Sequence, residues 1–501
     1  MTYGRPGVYV NERFLPTPIA VGGSANAAGA AIGAFAKGPS TVTRVTSWYD
    51  FVKNFGSFDA AYPATFGINQ FFVNGGSELY VKRVLGAGAG QATVNIVNGA
   101  TTVAVVTAKN YGSAGTNLRV QVSATGAANY FNLTVYEEVG GNASSTADDA
   151  VLEVFNNVRF DLTTSADYVQ TVVTQSSQYI SLSVSTNGTA PAAAVYPLTG
   201  SSLDGTAPTA TNYTAVVPAD GTSEFDQIDR HLVIFAPVII SILGATNGTT
   251  VQNALIAWAT AGQGFAVVDT ASGLTVAQAI TAAGNFTASS QAAAYYPNYY
   301  ITDPTARSSS ALRLVGPASA VVGNYLLSDR NSGPWKAPAG LSNDITGGVA
   351  LERSFTSADL DNLNSNIKPL NAIRNIPGAG LVVMGGRTLK QDGTSNRYVN
   401  MRRSLLYIEK SLRDLTQFAL FENNDERLWA RIITTTSAFL NEYRNQGGLR
   451  GQVPDDAYFV KCDAENNPLS SIQNGEVHIE IGVALEYPAE YLVINLSQKT
   501  A

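Results

Sequence analysis

The hydrophobic pattern of this 501-residue chain changes period from one stretch to the next. Near the N-terminus, Ala27 to Phe35 and Glu78 to Leu85 read as strands, with Lys82 and Arg83 inside the second. Between them, Trp48 to Phe55 and Phe66 to Val73 carry helical spacing and stop at Gly56 and at Gly75-Gly76. From Gly86 to about Asp220 the chain reads as β-rich, with strands expected at Thr93 to Val97, Thr102 to Thr107, Leu118 to Ser123, Asn132 to Glu137, Val158 to Leu162 and Ile180 to Val184. After Phe225, apolar strands alternate with helices: His231 to Phe235, a helix from about Thr250 to Ala261, Phe265 to Asp269, a helix from about Val276 to Ala283, then Ala294 to Ile301. That order predicts a layered α/β unit with a largely parallel sheet. A helix at Gly316 to Arg330 and a buried strand at Gly380 to Met384 follow.

Two longer amphipathic helices come next. In the first, Leu405, Ile408, Leu412, Leu415 and Ala419 recur at spacings of three and four, while Arg402, Arg403, Glu409, Lys410, Arg413 and Asp414 take the other face. The second spans about Asp425 to Gln446, with Leu428, Ile432, Phe439 and Tyr443 inward and Gly447-Gly448 as its stop. Beyond them, Tyr458 to Asp463 and Glu476 to Glu486 form a hairpin-like pair, in which Val477, Ile479 and Ile481 alternate with His478 and Glu480. After Pro488, Tyr491 to Gln498 places Leu492, Ile494 and Leu496 on one face. A short apolar strand needs a sheet edge to pair with, either on its own hairpin or on another molecule. The N-terminus holds a comparable segment, Val8-Tyr-Val-Asn-Glu12, followed by Pro16 and Pro18, which cannot continue a ladder; it is an arm or the first strand of the local domain.

These patterns divide the chain into an extended arm (1–21), the first part of a core (22–85), a β-rich inserted outer domain (86–220), an α/β domain (221–345), a C-terminal α+β domain (346–487) and a second extended arm (488–501). The fold class is thus multidomain, α/β and α+β: a layered α/β core, a β-rich insertion and terminal β arms. The insertion carries only Lys109, Arg119 and Arg159 as basic residues. Its opening Gly86-Ala-Gly-Ala-Gly90 lacks the spacing of a phosphate-binding loop.

Composition narrows the function. Charged residues make up only 14% and the net charge is −7, so the surface is Ser, Thr, Asn and Gln or is covered by copies of the chain, and a general nucleic-acid binder is excluded. The single Cys462 rules out an intrachain disulfide and, in mid-strand, reads as a small core residue. No secretory signal or membrane-spanning run is visible. His231 and His478 are the only histidines, both in expected strands, and the sequence has no HExxH, CxxC, Walker A or GxSxG motif. Asp269, at a strand end, is either a polar site of the α/β unit or a turn or helix cap. The reading is a non-enzyme without cofactor or metal.

Several segments resemble the tail sheath proteins of contractile-tailed bacteriophages: Pro6-Gly-Val-Tyr-Val-Asn-Glu12, Phe72-Val-Asn-Gly-Gly-Ser-Glu-Leu-Tyr-Val-Lys-Arg83, Trp335-Lys-Ala-Pro-Ala-Gly340, Asn371-Ala-Ile-Arg374, Gly385-Gly-Arg-Thr-Leu389, Phe421-Glu-Asn-Asn-Asp425 and Pro488-Ala-Glu-Tyr-Leu-Val-Ile494. The insertion matches mainly at Ala108 to Leu118. The resemblance implies a homo-oligomer of six-fold discs stacked helically around an inner tail tube, bounded by baseplate and tail terminator proteins, with no direct nucleic acid binding and no membrane insertion. It implies assembly in the host bacterial cytoplasm and a place in the virion tail. It also implies that arms Val8, Tyr9, Val10, Glu12 and Tyr491, Leu492, Ile494, Leu496 add strands to neighbours beside Tyr458, Val460, Cys462 and Val477, Ile479, Ile481. Arg427, Arg431 and Arg444 on the second long helix are the candidate contacts to the tube, against the plainer reading of a solvated helix face. A phage tail, a phage-tail-like bacteriocin and an extracellular injection device share these features. The rival class is a carbohydrate-binding or hydrolytic surface protein, on the aromatics Tyr130, Phe131 and Tyr136 of the insertion.

Overall fold

The computed structural model describes residues 27–138, 149–200, 203–237, 239–262, 264–308, 310–391 and 393–491. They fall into two compact units, residues 27–403 with 487–491, and residues 404–486. The larger unit opens with β1 (Ala28–Gly33), β2 (Thr43–Val45), α1 (Trp48–Phe55), α2 (Ala64–Val73) and β3 (Leu79–Arg83). An excursion follows: β4 (Gln91–Asn98), β5 (Thr101–Tyr111), β6 (Leu118–Ala124), β7 (Phe131–Glu137), β8 (Ala150–Val158), α3 (Val169–Ser176), β9 (Ile180–Val184) and β10 (Ala194–Pro197). The chain returns through α4 (Ala210–Ala215), β11 (Leu232–Phe235), α5 (Ile239–Ala261, broken at Gly244), β12 (Phe265–Asp269), α6 (Val276–Ala283) and β13 (Ala292–Tyr296). It continues with β14 (Tyr299–Thr302), β15 (Leu312–Val315), α7 (Ala318–Asn331), β16 (Gly348–Leu351), α8 (Ser357–Ser365), β17 (Leu370–Ile376) and β18 (Gly380–Val383).

Among the described residues, the main sheet has eight strands in the order β18-β17-β13-β12-β11-β1-β3-β2. Its six central strands run parallel, and antiparallel β18 and β2 close the two edges. Every residue of β1, β11, β12 and β13 is buried, as a sheet covered on both faces requires. Ala30, Ile234, Ala266 and Ala294 point to one face, where α4, α5, α6 and α8 contribute Tyr213, Leu255, Ala279 and Leu363 to a single core. On the other face, Phe71 of α2 stacks on Phe235, and Tyr325 of α7 meets Phe265 and Tyr295. The aromatic stretch expected as one strand from Ala294 to Ile301 is two, β13 and β14, in different sheets. Pro297 between them has no N–H to give to a ladder.

The excursion builds two sheets, β4-β5-β9 and β10-β6-β7-β8, whose facing residues, including Val106, Ile180, Val120, Leu133 and Val135, form one apolar core with Val169 and Val173 of α3. The strand expected at Val158 to Leu162 lies earlier: Ala150–Val158 pairs with β7, and Arg159 turns away to bridge Tyr168 and bind Asp161. All three basic residues of the excursion are engaged internally. Arg119 is buried between Glu138 and Asp149, Arg159 holds Asp161 beside the Tyr130 ring, and Lys109 donates to the Ser177 carbonyl. The two connecting segments run together as a neck, with the Gly90 N–H on the Leu203 carbonyl and the Thr206 N–H on that of Ala87. A Cβ at Gly86 would meet the Thr206 carbonyl oxygen at 1.7 Å, so the glycine run permits this close approach.

Several polar groups lie deep in the larger unit. Arg403 makes a bidentate pair with Asp329, their side chains 1% and 5% exposed, and sits 4.6 Å above the Tyr325 ring. His231, just before β11, is buried and held down to about 3, by burial first and then by Arg403 and Arg402, so it is neutral. Asp269, at the end of β12, accepts the N–H of Ala318 at 2.7 Å, where α7 begins. Of its two readings, the structure selects the cap. Burial raises its carboxyl to about 8, with the Ala318 N–H opposing.

A carboxyl whose folded pKa is raised above its unfolded value stabilises the fold fully below about pH 4, and the contribution is lost as pH rises through about 8. Asp269→Asn keeps an acceptor for Ala318 and removes the titration. Thermal denaturation at pH 5, 6.5 and 8 should show the wild type losing stability relative to the variant, by on the order of a few kcal/mol across that range. An identical pH slope in both proteins would rule this out.

Candidate assembly interface

The smaller unit is built on two helices, α9 (Val399–Thr416), whose first turn is counted with the larger unit, and α10 (Glu426–Asn445). Asp425 starts α10 by accepting the N–H groups of Arg427 and Leu428, which satisfies two of the free donors of a helix N-terminus. Leu428, Ile432, Phe439 and Tyr443 are buried as the period predicts, and Tyr407 of α9 stacks on Tyr443 with ring centres 5.6 Å apart. The turn between the helices is pinned by Asn424, which accepts from the Trp429 indole N–H and donates to the Glu476 carbonyl. It leaves Leu420 and Phe421 exposed, Phe421 with φ of 65°. Sequence reading missed this apolar tip, although Phe421 begins one of the motifs quoted above.

Among the described residues, the unit's sheet is the pair β19 (Tyr458–Lys461) and β20 (Glu480–Val483), antiparallel with Val460 opposite Ile481. Tyr458 donates its hydroxyl to the Ser437 carbonyl of α10, so that face rests on the helix. On the opposite face, Phe459 is exposed and its ring covers Gly482, where a Cβ would meet it at 2.1 Å. No residue of either strand is fully buried, and Val477, Ile479 and Ile481 are half-buried while His478 and Glu480 are exposed. The ladder is shorter than the expected Glu476 to Glu486. At its start the Asn467 side-chain amide takes both the N–H and the carbonyl of His478 and so replaces a partner strand there, and at its end Ala484 and Leu485 pair instead with Arg450 and Leu449. Cys462 is buried beside Asn467, and burial pushes its thiol up.

The remaining candidates separate. Arg427 and Arg431 lie four residues apart on the exposed face of α10, Arg431 with its guanidinium 4.1 Å from the Phe418 ring centre. Arg444 is half-buried and bonded to Gln452, Asn441 and Asn445 at the helix end, where a cation is favoured by the helix dipole. Tyr491 is exposed, and its hydroxyl meets Asn364 and Arg387. Val8, Tyr9, Val10, Glu12, Leu492, Ile494 and Leu496 lie outside the described residues. Among the described residues, no group of three or more His, Cys, Asp or Glu side chains is placed to hold a metal ion, and no helix is long and apolar enough to cross a membrane.

Residues 391–499 match the family model of the phage tail sheath C-terminal domain. The chain resembles the helical sheath of the anti-feeding prophage in its contracted state, with a TM-score of 0.59 and 20% identity over 99% of this chain and 100% of that one. The match in sequence is thus to a sheath C-terminal domain over residues 391–499, and the likeness of the rest is one of fold. A chain from the six-fold symmetrised baseplate of the anti-feeding prophage aligns over the whole of both chains, at a TM-score of 0.57 and 20% identity. The tail sheath protein of Vibrio phage KVP40 is 28% identical over 184 residues, 36% of this chain and 26% of that relative; the match thus spans about a quarter of the curated relative. These likenesses agree with the mixed α/β and α+β fold class read from the sequence.

Gly482→Val would drive a side chain into the Phe459 ring, and overpacking of this kind costs roughly 1–3 kcal/mol. Hydrogen exchange should accelerate at the amides of β19 and β20, with the larger unit unaffected. Unchanged protection of both strands would remove Phe459 and Gly482 from the account of this sheet.

Proposed function

We propose that the chain is a structural subunit of a contractile tail sheath. It polymerises as stacked hexameric rings around an inner tail tube in an extended, metastable state, above a baseplate and below a tail terminator. Contraction drives the tube through the bacterial envelope. The subunit is assembled in the host bacterial cytoplasm, ends in the virion tail, and carries out no catalysis. Its inserted domain, 86–220, lies on the outer surface, and its terminal arms, 1–21 and 488–501, leave the body to add strands to neighbours. The observation that carries this reading is the β19–β20 sheet in a chain of sheath fold: two strands with no fully buried side chain are marginal by themselves and gain most from added strands that bring Val8, Val10, Leu492, Ile494 or Leu496 against them. One added strand is weak, but repetition through a lattice multiplies it. The sheath of a phage-tail-like bacteriocin or of an extracellular injection device would use the same subunit chemistry.

Arg427 and Arg431 are the better-placed contacts to the tube, because Arg444 is occupied by its own helix end. Truncation after Tyr491 should leave a folded, soluble subunit that forms no tubes by negative-stain electron microscopy; striated tubes of normal yield from that protein would reject the arm. Arg427→Glu should weaken co-sedimentation with purified tail tube by roughly ten-fold, an effect that grows at low salt. Equal co-sedimentation would remove the residue from the contact.

A further inference from the structure

Three of the motifs quoted from the sequence, two of them near each other and the third about a hundred residues on, meet at one point of the larger unit. Asn371 of β17 is buried and holds the backbone of Arg387, accepting its N–H at 2.7 Å and donating to its carbonyl at 2.8 Å. The Arg387 guanidinium, thus fixed, grips the segment after Pro488. Its Nε and Nη2 reach the two carboxylate oxygens of Glu490 at 2.8 and 2.7 Å, its Nη1 donates to the Asn364 carbonyl at 2.9 Å, and its Nη2 also reaches the Tyr491 hydroxyl at 3.0 Å. Asn364, in α8, adds its side-chain amide to the same hydroxyl at 2.9 Å. The two side chains of the ion pair are 12% and 22% exposed, and a bidentate pair of this kind fixes direction as well as position.

Two longer contacts join them: Asn364 also donates to one Glu490 carboxylate oxygen at 3.3 Å, and the Tyr398 hydroxyl to the other at 3.5 Å. Tyr491 and Tyr487 are 70% and 55% exposed, and the Tyr487 ring meets the Tyr398 ring edge-on with centres 6.4 Å apart. Pro488, Ala489 and Glu490 line an open depression with Gly340, Met384 and Gly386, and Glu490 and Tyr491 line a second one with Leu360 and Arg374.

We propose that Arg387 is the anchor of the C-terminal arm: by clamping Glu490 and Tyr491 it fixes where, and in which direction, the arm departs. This moves the point of departure from Pro488 to just past Tyr491, and it rests on the reading of the arm as an exchanged strand. Release of the clamp frees Glu490 and Tyr491, which lengthens the tether by roughly 7 Å when extended and lowers the effective concentration of the arm at its neighbour. Arg387 is a positioning residue, acting through the arm rather than touching the accepting sheet.

The test measures hydrogen exchange of the soluble full-length subunit at 487–491, and tube yield by electron microscopy, for the wild type, Arg387→Ala, Glu490→Gln and the swap Arg387→Glu with Glu490→Arg. We expect exchange at 487–491 to rise about ten-fold or more in both single variants, tube yield to fall in parallel, and the swap to restore part of both. Glu490→Gln, on the exposed strap, keeps the test valid where Arg387→Ala does not fold. Unchanged exchange in the single variants overturns the clamp. Raised exchange with wild-type tube yield overturns its role in placing the arm. A wild type that forms no tubes overturns the sheath reading itself and this inference with it, an outcome distinguishable from tubes formed equally by all variants.

Discussion

A parallel sheet has to be covered on both faces, and most of the larger unit follows from meeting that requirement. Its crossovers bring α5 and α6 onto one face, and α2 and α7 cover the other, so the central strands can be apolar throughout. Small residues such as Ala30, Ala266 and Ala294 let the helices approach, while Phe71, Phe235 and Tyr325 fill the wider space opposite. The edges are ended by antiparallel β2 and β18. The excursion leaves from β3, next to an edge strand, and Arg83 at its end donates to the carbonyls of Phe35, Ala36, Gly38 and Tyr111. That one guanidinium ties the neck of the excursion to the sheet it leaves.

The residues from 404 to 486 obey a different regime. Here the buried contacts are between helices, with the Tyr443 ring stacked on those of Tyr407 and Phe439, and the sheet is a short pair lying on α10. A protein that keeps its strands half-covered either tolerates a marginal sheet or has it completed by other chains. Side-chain substitutes for backbone pairing, such as the Asn467 amide on His478, fit a surface that is locally satisfied yet open to added strands.

The larger unit also places charge where the sequence gives least warning of it. The Arg403–Asp329 pair and neutral His231 lie within the α/β core, and a bidentate pair of this kind is costly to break because either partner alone would be a buried, uncompensated charge. Arg387 and Glu490 repeat the geometry nearer the surface, where water can compete and the pair can open at lower cost.

Much of this was readable from the chain. The apolar runs at β1, β11 and β12, the helix spacings of α6 and α10, and the Asp425 start of α10 located the elements and the parallel α/β core, because a residue's side of its own helix or strand depends on local period alone. The tail sheath motifs were legible as an ordered set, and the family match over 391–499 falls in the half where they are densest. What lies opposite a residue depends on distant segments, and there the pattern was silent or misleading. Arg403, on the polar face of α9 by its spacing, is buried because Asp329 of α7 meets it; the Ala294 to Ile301 stretch became two strands because Pro297 divides it between sheets; and Asn371, Arg387 and Glu490 became one clamp only once the fold had brought β17, the turn after β18 and the C-terminal segment together. Period alone set the sequence's part, burying one face of each segment; long-range pairing of charges and amides, which period cannot encode, was decided by the tertiary structure.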